Sequence, residues 1–173
     1  MARRRTKQLL AIGIVAMLAS LGGCRRTQVM DKHTEEMAEE ITDLKAAYAA
    51  FNHGDIQAAV KPLDPNIEWS EPVEFPGGGT YHGVDAAKTY LSQSRAGADQ
   101  VRSEPERFAV YGDKIVVFVD ARVKAKGSNH VQNIQLADVY TFRNGKAVAM
   151  RAFADRNAAV AWASGGKYLG ADR

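Results

Sequence analysis

Asp138 is the residue whose setting most invites chemistry. It falls in a run, Val131 to Phe142, that reads as a β-strand, where alternate residues share a face. One face carries Ile134, Leu136, Asp138, Tyr140 and Phe142; the other carries Gln135, Ala137, Val139 and Thr141. Asp138 thus sits in the middle of the more apolar face. A carboxylate there loses water, its pKa rises, and it can stay protonated as a hydrogen-bond donor. In an ordinary core the same aspartate would pair with Arg122, Arg151 or a backbone amide. Two other carboxylates stand at strand ends. Glu71 closes Ile67–Glu71 just before Pro72, where a solvated side chain is the plain expectation. Asp155 precedes a short helix, Arg156–Ala163, and suits its N-cap. The four histidines, His33, His53, His82 and His130, are scattered. His82, beside Gly83, is expected at the mouth of a pocket. Their spacing matches no metal site, so no metal is expected. No serine or cysteine stands in a nucleophile arrangement. Pro76-Gly77-Gly78-Gly79 lacks the Lys and Ser/Thr of a phosphate loop and reads as a turn. No cofactor is expected.

These residues need a frame to hold them. From Glu35, with Thr34 as N-cap, the apolar residues Met37, Ile41, Leu44, Tyr48 and Phe51 recur at helical spacing and make one stripe. Asn52-His53-Gly54-Asp55 ends that helix, and a second short helix is expected over Ile56–Leu63. A strand, Ile67–Glu71, and a third helix, Val84–Ser94, follow. The rest reads as strands: Phe108–Tyr111, Ile115–Ala125, Val131–Phe142 and Lys146–Ala154, with Asn144-Gly145 as a tight hairpin turn. Helices followed by an antiparallel meander predict an α+β domain. A curved, cone-shaped antiparallel sheet wrapped around the N-terminal helices would enclose an internal pocket. Tyr48, Trp69, His82, Phe118, Tyr140 and Met150 are its expected lining.

The first residues belong to a different device. Arg3, Arg4, Arg5 and Lys7 precede an apolar run of about 13 residues, Leu9 to Leu21. That is signal-peptide length, short of the ~20 residues a membrane-spanning helix needs. Leu21-Gly22-Gly23-Cys24 resembles the bacterial lipobox, in which the cysteine receives a lipid and becomes the new N-terminus. Cys24 is the chain's single cysteine, so no intrachain disulfide can form. The resemblance implies a signal peptide over 1–23 and a lipidated Cys24. The pattern of the residues beyond it reads as a polar tether over 24–34, a domain over 35–164 and a flexible tail over 165–173. The lipobox resemblance implies export and anchorage to a bacterial membrane through that lipid. Without the four leader cations, 19 basic residues face 20 acidic ones, a net of −1 against +3 for the whole chain. That balance gives no electrostatic reason for nucleic-acid binding.

Several segments resemble SnoaL-like and ketosteroid-isomerase-like domains of the nuclear transport factor two superfamily. They are Tyr48-Ala49-Ala50-Phe51-Asn52-His53-Gly54-Asp55, Ile67 to Pro72, Gly79-Thr80-Tyr81-His82-Gly83, Ala137 to Lys146, and Met150-Arg151-Ala152-Phe153. In ungapped register with the steroid isomerases, Glu71 falls on the general base and Asp138 on the protonated oxyanion-hole acid. The family tyrosine falls on Ala47; Tyr48 is next along, turned about 100° around the helix. In SnoaL-like cyclases an acid/base aspartate ends the last strand, where Asp155 stands, so its catalytic and capping roles both remain open. The superfamily holds enzymes and non-enzymes. Two functions follow as expectations. One is a membrane-anchored pocket for a small apolar or amphipathic ligand. The other is a cofactor-free isomerase, cyclase or dehydratase acting on a carbonyl compound, with Glu71 as base and Asp138 as oxyanion donor. The resemblance also implies homodimerisation through an apolar sheet face.

Overall fold

A computed structural model describes residues 21–166, with side chains from Lys32 onward. Residues 1–20, most of the expected signal peptide, and residues 167–173, most of the expected tail, lie outside the described residues, as does the side chain of Cys24. The chain divides into two compact units, Met1–Thr34 and Glu35–Arg173.

Helix α1 spans Leu21–His53. The segment read as a polar tether is therefore helical, and Thr34 is interior to the helix rather than its cap. No glycine or proline interrupts Arg25 to His33, so nothing stops the helix from propagating upstream. Met37, Leu44 and Tyr48 are buried along the predicted stripe, with Ile41 packed beside them. Gly54, at φ +85°, ends the helix in the left-handed region that glycine tolerates best. Asp55 then caps α2, accepting from the Ala58 amide at 2.9 Å. This helix is shorter than expected, Ile56–Ala59. Pro62 has no N–H to continue it, and its carbonyl instead accepts from the Ala147 amide at 2.9 Å.

The strands are β1 (Leu63–Glu71), β2 (Gly79–His82), β3 (Ala98–Tyr111), β4 (Lys114–Ala125), β5 (Gln132–Arg143) and β6 (Lys146–Phe153). Helix α3 (Val84–Ala96) follows β2, and α4 (Arg156–Ala163) closes the described chain. The six strands form one curved, unclosed sheet in the order β2-β1-β6-β5-β4-β3. Every pairing is antiparallel except β1 with β6, which is parallel. Strand β3 is far longer than its predicted last four residues. Its first part is polar and contains Pro105, a pattern that an edge strand accepts where a bulge breaks the ladder, as between Pro105 and Arg107.

Alternation along β4 sends its residues to two cores. Ile115, Val117, Val119 and Ala121 join the main core with α1, Trp69, Tyr140 and Met150. Val116 and Phe118, with Ala137 and Val139 of β5, pack under Ala159 and Ala163 of α4. Helix α4 covers this part of the sheet's outer face. Arg156 fastens that helix down: it donates to the Leu136 carbonyl at 3.1 Å, the Val119 carbonyl at 2.7 Å and the Glu106 carboxylate at 2.8 Å.

Candidate functional site

A cavity of about 460 Å³ lies between α1, α3 and the inner face of the sheet. That volume suits a small organic ligand. Its lining is mostly aliphatic and aromatic, with two carboxyl groups, Glu71 and Asp138, in the same space. Each arrives by a simple periodicity. Trp69 and Glu71 are two apart on β1, and Asp138 and Tyr140 two apart on β5, so each pair shares a strand face. Tyr48 comes from the buried stripe of α1 and Tyr90 from α3.

The polar groups form two linked sets. The Tyr140 hydroxyl lies 3.4 Å from the Tyr48 hydroxyl and donates to it. The Tyr48 hydroxyl in turn donates to the Asp138 carboxylate. On the facing side, the Trp69 indole N–H donates to Glu71 Oε1 at 2.8 Å, and the Tyr90 hydroxyl also bonds this carboxyl. The rings stand steeply against one another: Trp69 with Tyr140 at 79° and Tyr48 with Tyr140 at 80°.

Burial sets the protonation. Glu71 is pushed up to about 8, first by loss of water and second by the Asp138 charge, against the opposing bonds from Trp69 and Tyr90. Asp138 is also raised by burial, but the bond from Tyr48 opposes this and holds it at about 6. Tyr48 and Tyr140 are held well above the usual phenol range by burial and then by the Asp138 charge, so both stay protonated donors. Between these two values the pair as a whole carries one negative charge and one proton. Such a pair can accept a proton at one oxygen while donating a hydrogen bond from another. A group poised near neutral pH is what general acid/base work requires.

The SnoaL-like domain model matches residues 44–150, more than half of the chain. The chain belongs to the SnoaL-like domain family. Solved structures with the same fold include TerC, crystallised with polyporic acid. It is 28% identical, with a TM-score of 0.61, covering 69% of this chain and 93% of that one. A nuclear transport factor two-like protein from Burkholderia pseudomallei is 25% identical, with a TM-score of 0.62, covering 70% and 94%. A SnoaL-like polyketide cyclase, so named as putative, from Jannaschia shares the fold at 17% identity and a TM-score of 0.58, covering 75% and 92%. A comparison with curated proteins found no match.

Within this SnoaL-like domain, Tyr48, Trp69, Glu71, Asp138 and Tyr140 meet in one cavity, and the other expected residues do not. Glu71 is not the solvated strand end that its position before Pro72 suggested. Met150 is buried in the main core without lining the cavity. His82 is exposed, because alternation on β2 turns Tyr81 inward instead. Phe118 lies on the opposite face of the sheet, under the Arg107 guanidinium at 3.6 Å from its ring centre. Asp155 is exposed and caps α4, accepting from the Asn157 amide at 2.7 Å. Its capping role is the one the structure supports. Asp155→Ala is expected to lower stability by about 1 kcal/mol in denaturant melts and to leave ligand affinity unchanged. Tyr90 of α3 is a site residue that the sequence analysis did not single out. Among the described residues, no group of three or more His, Cys, Asp or Glu could hold a metal ion.

Proposed function

We propose that this SnoaL-like domain is a cofactor-free acid/base catalyst that moves a proton on an apolar carbonyl compound. The observation that carries this reading is that two carboxyl groups, Glu71 and Asp138, line one mostly apolar cavity, where burial raises the pKa of both. The roles are the reverse of those implied by family resemblance. Asp138, ionised at neutral pH, takes a proton from the carbon beside the carbonyl. The electron pair moves to the carbonyl oxygen, and protonated Glu71 donates a hydrogen bond to the developing enolate. Where a carbon–carbon double bond adjoins the enolate, returning the proton to its far carbon shifts the double bond and completes an isomerisation. The test is exchange of α-hydrogen for deuterium in a panel of cyclic ketones, followed by NMR. Exchange that depends on Asp138 supports catalysis; no exchange across the panel would sink it.

One observation favours a second reading, a binding protein without turnover. The Tyr48 hydroxyl is committed to Asp138 and is not free to bond a substrate oxygen. That reading predicts ligand binding with no exchange.

We also propose that the mature chain is exported and held on a bacterial membrane by lipid on Cys24. Support comes from the leader pattern and the single cysteine. Among the described residues, no helix is long and apolar enough to cross a membrane. Cys24→Ser is expected to abolish incorporation of labelled palmitate and to move the protein from the membrane to the soluble fraction. Unchanged labelling would refute the anchor.

A further inference from the structure

The cavity has an unusual balance of charge. Among the described residues its lining includes Glu71 and Asp138 but no lysine, arginine or histidine. Elsewhere the chain does set cations against aromatic rings: Arg107 and Arg156 over Phe118, and Arg151 over Phe153 and Trp162. Arg95 stacks over Phe51, a ring of the cavity wall, and donates to the Phe51 carbonyl. Among the described residues, no such contact reaches Trp69, Tyr90 or Tyr140. These inner rings therefore keep their negative faces without a resident cation. Their crossed arrangement around two carboxyl groups is the setting in which an organic cation gains both ring-face and ion-pair attraction. The low-dielectric walls strengthen both. An anion entering the same space would lose its water and meet only like charge.

The shape adds a second constraint. The lining runs along β5 from Asp138 through Leu136 and Ile134 to Gln132. Six strand steps span about 20 Å. Val101, Val123 and Ala125 continue this arm as apolar wall. A ligand filling the cavity has a compact head at the carboxyl pair and an apolar tail along the strand.

We propose that the cavity selects an apolar amine in its protonated form, with the cationic head held by Glu71, Asp138 and the rings of Trp69, Tyr90 and Tyr140. The inference takes from the catalytic reading only that both carboxyls share this space; a cation bound there would compete with the carbonyl substrate rather than serve as it. Because a bound cation favours ionised Glu71, binding at pH 7 also releases a proton.

The experiment is calorimetry of the full-length protein with three ligands of similar shape. Phenyltrimethylammonium carries a fixed positive charge, tert-butylbenzene none, and benzenesulfonate a negative one. At pH 8.5 the cation is expected to bind at least tenfold more tightly than the neutral compound, and the sulfonate not at all. The preference should shrink at pH 5, where both carboxyls hold protons. It should vanish in the E71Q/D138N double variant, checked for fold by circular dichroism. The proposal is overturned if the neutral compound matches the cation, if the sulfonate binds, if none of the three binds, or if the preference survives in the folded variant. The pH comparison decides the matter should that variant fail to fold. Deuterium exchange tests turnover separately, so cation selection and catalysis can fail independently.

Discussion

Asp138→Asn is expected to lower kcat/KM for α-proton exchange by about 10²–10⁴-fold, the usual range for losing a positioned base. The amide cannot accept the proton, although its oxygen can still take the Tyr48 bond, so the fold should survive. Glu71→Gln should be milder, at about tenfold, because its side-chain amide still has N–H to offer the substrate oxygen. This asymmetry separates the proposed roles from the reverse assignment, which predicts the larger loss at Glu71. The pH profile follows from the same pair. Activity should rise through about 6 as Asp138 ionises and fall above about 8 as Glu71 loses its proton. In Glu71→Gln the alkaline fall should disappear and the acidic limb remain. A profile flat from pH 5 to 9 in the unaltered protein would contradict the proposal.

The same substitution should stabilise the folded chain in alkaline solution. Glu71 holds its proton to about 8 when folded, against an ordinary value of 4.5. The folded state therefore binds a proton that the unfolded state has released, and stability falls as pH rises between those values. A neutral glutamine removes that loss. Its oxygen can accept from Trp69, and its amide can donate to the Tyr90 hydroxyl. Discounted for the partial solvent exposure of Glu71, the gain is on the order of 3 kcal/mol at pH 8.5 and small at pH 5. Urea melts at the two pH values measure it. A gain of equal size at both would mean that the benefit comes from packing rather than from the buried charge. A site that weakens its own fold in this way is common where function needs a strained group.

Asp138 was legible in the sequence because strand alternation reports sheet faces directly, and one carboxylate among four apolar residues breaks the pattern. The α1 stripe was legible for the same reason at helical period. Glu71 was harder. Whether a strand-end carboxylate meets water depends on what packs over it, and here that is Tyr90 from α3, a partner nearly twenty residues away. The family register put the tyrosine role on Ala47, whereas the stripe itself already placed Tyr48 inward with Leu44. Phe118 was misplaced because β4 is apolar on both faces. Only the docking of α4 distinguishes them, and that docking is tertiary. Strand β3 was largely hidden because edge strands are polar where core strands are not.

The parallel pairing of β1 with β6 has a consequence for how the chain comes to be built. These two strands are central in the sheet, yet Trp69 lies opposite Met150. During synthesis, the N-terminal strands must wait for almost the whole domain to leave the ribosome before their seam can close. Contacts this distant along the chain slow folding. Until β6 arrives, the first half has no partner for its inner edge. The polypeptide remains threadable through nearly all of its translation, and its last strand is the latch.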